Sequence, residues 1–337
     1  MSRYRAQVSE ASLHPYSTLT PALVIEALEA LGHVCDGRVL ALNSYENRVY
    51  QVGIEDAAPL IAKFYRPGRW PTPAILEEHE FALELAAREI PVVPPVVRSN
   101  RTLFEIGGFR YCVYPRQGGR WPELGTAADR EQMGRFLARI HAVGAVRRFR
   151  HRPTLDWRAS SQESAEFLLD NGWIPSHLET AYSTLADDLV NLIAQRFAEA
   201  TPYRLLRLHG DCHPGNVLWT DSGPHFVDLD DCISGPAVQD LWMLLSGDLP
   251  EMSMQLDDLL RGYRDFADFD RRELRLIEPL RTLRQMHYAA WLARRWDDPA
   301  FPRAFPWFQE SRYWEQHILD LREQLSAMSE APIGSEA

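Results

Sequence analysis

The chain has 337 residues, 45% hydrophobic and 25% charged, enough for a full core and, at roughly 150 residues per unit, for two domains or lobes. That composition excludes a disordered chain, a collagen-like chain and a small disulfide-stapled scaffold. With 36 basic against 47 acidic residues the net charge is −11; such a chain is a poor general binder of nucleic acid, and the sequence is read as having no basic cluster to offset this.

Residues 1–21 are polar and lack the apolar stretch of a signal peptide. Residues 20–31 read as a short helix. Strand-like runs follow at 38–43, 48–54 and 60–65, separated by turn residues. Pro67, Pro71 and Pro73 end the third run, and a helix follows over 74–88 until Pro91, Pro94 and Pro95 stop it. Two more strands, 101–106 and 109–114, flank the turn pair Gly107-Gly108. Residues 36–115 therefore predict a small antiparallel sheet with one helix, inside an N-terminal lobe of residues 1–115. Gly118, Gly119 and Pro122 mark 116–124 as the linker. Beyond it helices are expected at 125–143, 160–170, 177–200, 236–247, 252–267, 271–296 and 308–326, with a β-rich island at 204–231. Residues 125–327 form the C-terminal lobe and 328–337 a flexible tail. No apolar run reaches the roughly 18 residues of a membrane span. Cys35, Cys112, Cys212 and Cys232 show no C-x-x-C spacing, which argues against zinc and disulfides and for a reducing cytoplasm.

Of the 36 basic residues, 35 are Arg and the only Lys is Lys63. A lone Lys is either the residue of a codon bias or a site that needs a compact ammonium. Its surroundings favour the second reading. Residues 209–216 read His-Gly-Asp-Cys-His-Pro-Gly-Asn between two strand-like runs, and a further strand ends in Asp228. Asp211 and Asn216, separated by four residues, have the spacing of a phosphoryl-transfer loop, in which a carboxylate accepts a hydroxyl proton and an amide holds Mg²⁺. Asp228 would be the second metal ligand, since Mg²⁺ takes a few hard oxygens beside the phosphates. Such a site needs a Lys on a small sheet and a Glu on the next helix. Lys63 ends the third strand. On the helix, Glu77, Glu80 and Glu84 share one polar face, whereas Glu78 lies with Phe81, Ala82 and Leu85. A carboxylate on an apolar face wants a partner, and Lys63 is the natural one.

With these residues in place the chain resembles the kinase-like phosphotransferase superfamily of aminoglycoside, choline and homoserine kinases. The motifs are His209-Gly210-Asp211 with His213 and Asn216, then Val227-Asp228-Leu229-Asp230, then Asp240-Leu241. More narrowly it is similar to the bacterial stress response kinase A family, described as Ser/Thr protein kinases. That likeness rests on residues 42–51, 63–67, 208–219, 227–231, 235–245 and 298–302. It implies an α+β, two-lobed protein-kinase-like fold with ATP and Mg²⁺ as cofactors. It also implies a proton acceptor at Asp211, metal ligands at Asn216 and Asp228, an ATP contact at Ser44, and an adenine hinge near Tyr114 to Arg116.

His209 is expected to brace the loop, and His213 either to brace Asp228 or to be buried. Asp230 and Asp231 either help position metal or cap the turn. Asp240 reads as an anchor for the catalytic loop. Cys212 and Cys232 are a redox pair or two inert thiols. The aromatics around Tyr288, Trp291, Phe305 and Trp307 are core, or line a pocket for a cationic acceptor. Only twelve residue steps separate Asp228 from Asp240, leaving no room for a long activation segment. The acceptor is a protein hydroxyl or, alternatively, a small alcohol such as an amino sugar. A third reading is a non-catalytic nucleotide-binding scaffold. No nucleic acid or membrane partner is expected, and a monomer is the default.

Overall fold

The computed structural model describes residues 14–334. Helix α1 (Pro21–Glu29) starts where the Thr20 hydroxyl accepts from the Leu23 N–H and Pro21 fills the first turn. Strands β1 (Cys35–Ala41), β2 (Arg48–Ile54) and β3 (Leu60–Phe64) follow, then helix α2 (Thr72–Ala87), β4 (Phe104–Ile106) and β5 (Phe109–Pro115). The strands form one antiparallel sheet in the order β1-β2-β3-β5-β4. In this register Lys63 faces Val49 on one side and Cys112 on the other, so the ammonium leaves from the middle of the sheet. Helix α2 turns Ile75, Glu78, Phe81, Ala82 and Leu85 inward, the face on which the residue pattern placed Glu78.

The second lobe is mostly helical. Helix α3 (Ala127–Gly144) opens with a reciprocal cap between Thr126 and Asp129. It is followed by α4 (Trp157–Ser160), α5 (Gln162–Asp170) and α6 (Glu179–Ala200). Then come β6 (Leu206–Leu208), β7 (Val217–Thr220), β8 (Gly223–Phe226) and β9 (Ile233–Gly235). The sheet pairs are β7 with β8 and β6 with β9, so the expected β-rich island extends past 231 by one strand. Helices α7 (Leu249–Tyr263), α8 (Ile277–Arg294), α9 (Ala300–Ala304) and α10 (Ser311–Ser329) complete the lobe. No helix among the described residues is long and apolar enough to cross a membrane.

Two expectations are corrected. Residues 236–247 are not one helix but two 3₁₀ turns, Ala237–Asp240 and Trp242–Leu244. The backbone there is committed elsewhere: the Val238 N–H donates to Glu273 at 3.0 Å, and Asp240 turns its carboxylate to residues 209 and 210. The tail expected to be flexible from 328 is packed further than that. α10 runs to Ser329, and Met328 and Ile333 are both buried in the lobe core. Residues 335–337 lie outside the described residues, as do 1–13 of the N-terminal stretch.

Candidate active site

The floor of the site is the loop between β6 and β7. Gly210 has φ +86, a backbone state that suits glycine, and a Cβ there would lie 2.1 Å from the Asp231 carbonyl oxygen. The fully buried Asp240 carboxylate holds this turn by accepting the His209 and Gly210 N–H groups, each at 2.8 Å. It also contacts His141 Nε2 at 3.1 Å. Asp240 is thus an anchor, as its position in the motif suggested. His209 Nε2 lies 2.9 Å from the Val227 carbonyl and ties the loop to the segment that carries Asp228. His213 neither braces Asp228 nor is buried: its Nδ1 accepts from the Gly215 N–H at 3.0 Å, and its Nε2 stands 3.5 Å from Asp211.

Asn216 Nδ2 donates to the Asp211 carbonyl at 3.0 Å and to Asp211 Oδ2 at 3.3 Å. With its amide nitrogen spent, the side-chain oxygen Oδ1 of Asn216 has no hydrogen bond among the described residues and is a free hard donor. Asn216 also lies across from Asp228, because Val227 N–H donates to the Asn216 carbonyl at 3.0 Å where the β7-β8 ladder ends. Asp228 sits in left-handed backbone, φ +59, with its side chain half-exposed. An amide oxygen beside a half-exposed carboxylate fits a small divalent cation that keeps several waters and phosphate oxygens.

Lys63 closes the site from the sheet. Its Nζ is 3.0 Å from Asp228 Oδ1, 3.1 Å from Asp230 Oδ1 and 3.3 Å from Glu78 Oε1. Burial opposes its charge, but Asp228, Asp230 and Glu78 outweigh burial and hold its pKa well above the ordinary value. Three carboxylates share one ammonium, and the deeply buried Glu78 is the one pushed up, to about 7, by burial. Sequence reasoning found this pair but missed what surrounds Asp230. That buried carboxylate pairs with Arg69, accepts from Asn47 Nδ2 at 3.0 Å, and has its backbone carbonyl capped by Arg152. Burial would raise its pKa; Lys63, Arg69 and Arg152 drive it well below the carboxylate range. Arg69 also pairs with Asp231 at 2.5 Å.

The segment 42–47 between β1 and β2 reaches across to the second lobe. Ser44 Oγ donates within it to the Asn47 carbonyl at 3.1 Å. Glu46 accepts from Trp291 Nε1 at 2.6 Å and pairs with Arg295 at 2.9 Å, and the Tyr45 ring packs 4.9 Å from that of Phe305. Asp298, in a family motif with no assigned chemistry, takes Arg48 and Arg66 at 3.1 and 2.7 Å. A second missed residue lies beside Asp211. Arg284 Nη1 lies 2.5 Å from Asp211 Oδ1. Burial would raise the Asp211 pKa, but His213 and Arg284 reverse this and hold it well below the usual carboxylate range. Arg284, Tyr288, Trp291 and Arg295 recur along one face of α8 and its end. They form a wall from Asp211 to Glu46. Tyr288 and Trp307 are partly exposed beside it, whereas Phe301 and Phe308 are core. Both loop thiols are buried; burial pushes Cys212 well up and Cys232 to about 12, so neither is a thiolate near neutrality.

Residues 38–277 match the phosphotransferase enzyme family. Stress response kinase A of Escherichia coli strain K12 is 45% identical over 322 residues, covering 96% of this chain and 97% of that protein. The Salmonella typhimurium strain LT2 protein named serine/threonine protein kinase RdoA is 43% identical over 318 residues, 94% of this chain and 96% of its own. Among solved structures, amicoumacin kinase hAmiN in complex with AMP-PNP, Ca²⁺ and Ami has a TM-score of 0.72 at 20% identity, over 93% of this chain and 95% of that one. A microcompartment-associated aminopropanol kinase has a TM-score of 0.67 at 17% identity, over 90% and 98%. These two likenesses establish the two-lobed kinase-like fold.

Proposed function

The chain belongs to the phosphotransferase enzyme family, and we propose that it is an ATP- and Mg²⁺-dependent serine/threonine protein kinase of the stress-response type. The observation that carries this reading is the meeting of Lys63 with Asp228 at 3.0 Å, next to the directly bonded pair Asp211 and Asn216. In it, ATP enters between residues 1–115 and 125–327, with the adenine at Tyr114 to Arg116 and the hinge over 116–124. Lys63 contacts the α- and β-phosphates, oriented by Glu78, and the Ser44 loop covers the phosphate chain. Asn216 and Asp228 hold the metal, which neutralises charge on the transferring phosphoryl group. Asp211 accepts a hydrogen bond from the acceptor hydroxyl and aims it at the γ-phosphorus. A carboxylate with so low a pKa is a weak base, so its main work is orientation, which suits a loose phosphoryl-transfer transition state.

The alternative is a small-alcohol kinase, a class represented among the structural neighbours. A cationic amino sugar fits less well than the sequence suggested, because Arg284 places a guanidinium beside Asp211. Transfer of labelled γ-phosphate tests the choice. Mg²⁺-dependent labelling of the protein itself or of a generic protein, abolished by Asp211→Ala, is expected. Transfer confined to a small-alcohol panel overturns the protein-kinase reading, and nucleotide binding without any transfer overturns both.

A further inference from the structure

Residues 147–152 read Arg-Arg-Phe-Arg-His-Arg, a basic cluster in a chain read from sequence as having none. They follow α3, and residues 147–151 fold against the outer face of α2, while the Arg152 guanidinium turns inward to the Asp230 carbonyl. The backbone wraps the Glu77 carboxylate: the N–H groups of Arg150, His151 and Arg152 donate to it at 2.7, 2.7 and 2.9 Å. Two turns along α2, Glu84 takes Arg147 at 3.1 Å and Arg207 at 2.9 Å. These contacts fix the segment without using Arg148 or Arg150. Both side chains are exposed and make no hydrogen bond or ion pair among the described residues.

Between the segment and α2 lies a cavity of about 600 Å³, lined by Arg147, Arg148, Arg150, His151 and Arg207 as well as Glu77 and Glu80. Arg207 is 2% exposed, and its Nε is buried without a hydrogen-bond partner. Glu84 balances Arg147 and Arg207, Glu80 stands 3.9 Å from Arg147, and Glu77 keeps its charge under the three backbone N–H groups. Four guanidiniums against the carboxylates of Glu77, Glu80 and Glu84 leave one positive charge over, carried by Arg148 and Arg150 at the mouth, within a protein that is acidic overall.

We propose that this cavity is a second ligand site, taking a short phosphate chain. Guanidinium forks match phosphate oxygens in pairs, and the volume admits a chain of two or three phosphates with water. Arg148 and Arg150 grip the phosphates at the mouth, and the buried Arg207 adds its charge from beneath. A ligand there would touch the outer face of the helix whose inner face carries Glu78.

Titration of inorganic triphosphate into the full chain carrying Lys63→Ala, without divalent metal, tests this; that substitution removes the ammonium of the ATP cleft. One equivalent is expected to bind. Adding Arg148→Ala and Arg150→Ala is expected to weaken binding at least ten-fold, while the same pair in the otherwise native chain leaves γ-phosphate transfer and the denaturation midpoint unchanged. A parallel titration with ADP separates the two sources of such a chain: weaker binding than triphosphate assigns the phosphate chain alone, and tighter binding assigns a nucleotide. No binding to the Lys63→Ala chain, or binding indifferent to the two arginines, overturns the proposal.

Discussion

Arg284 and Asp211 show how much a site can depend on a residue with no motif of its own. Asp211 stays ionised because His213 and Arg284 offset its burial. Removing a cation at hydrogen-bond distance raises a carboxylate pKa by about 1 to 3 pH units. Arg284→Ala should therefore move the acidic limb of the kcat profile upward by that much and lower stability at neutral pH, because a carboxylate whose folded-state pKa rises loses part of its contribution there. An unmoved limb would show that the guanidinium does not act on Asp211. Arg284 was illegible because 35 arginines make any one of them uninformative. Lys63 stood out for the opposite reason. Asp211, Asn216 and Asp228 were placed by spacing, and Glu78 by its position on the wrong face of a helix for a charge. The environment of Asp230 could not be read in the same way. Its partners Asn47, Lys63 and Arg69 lie more than 160 positions away in sequence, and Arg152 lies 78 away.

The elements that carry the site were legible where a periodic pattern or a breaker residue decided them. The strand predicted over 48–54 and that observed coincide, because turn residues bound it on both sides. The helix expected at 236–247 failed because the Glu273 side chain takes the Val238 N–H and the backbone N–H groups of His209 and Gly210 hold the Asp240 carboxylate. The lobe clamp was likewise hidden, although residues 298–302 were recognised as a motif. Asp298 is buried and faces two arginines from the sheet lobe. Asp298→Ala leaves Arg48 without a carboxylate and Arg66 with Glu46 alone, at 3.3 Å, and should lower unfolding free energy by about 1.5–3 kcal/mol, measured by denaturant titration; a loss under about 1 kcal/mol would contradict the clamp between the lobes. The close contact of α3 with α7 makes a second demand on sequence. A Cβ at Gly134 would stand 2.0 Å from the Leu259 carbonyl oxygen. Gly134→Ala should force the helices apart, destabilising by about 1–3 kcal/mol in the same titration; an unchanged midpoint would contradict that packing.

For the molecule as a whole, buried titratable groups set how stability follows pH. Burial lowers His79 to about 3 and both His287 and His317 to about 4, from an ordinary 6.5. The unfolded chain then binds more protons, so the stability from these residues is complete above pH 6.5 and is lost as pH falls below it. Glu273 runs the other way. Burial raises it from 4.5 to about 7, so the folded chain holds the extra proton and stability falls as pH rises through that window. Glu273→Gln keeps an acceptor for the Val238 N–H but cannot ionise. Its stability relative to the native chain should rise between pH 5 and pH 8 by up to about 3 kcal/mol; a pH-independent difference would rule out this titration. Above all these effects stands the proposal that Lys63, Asn216 and Asp228 converge on one metal and one nucleotide. Its most direct measurement is the affinity for AMP-PNP with and without Mg²⁺, in the native chain and in Asp228→Ala. The account predicts that the metal tightens nucleotide binding at least ten-fold in the native chain and has no such effect in the variant. An equal metal dependence in both would contradict it.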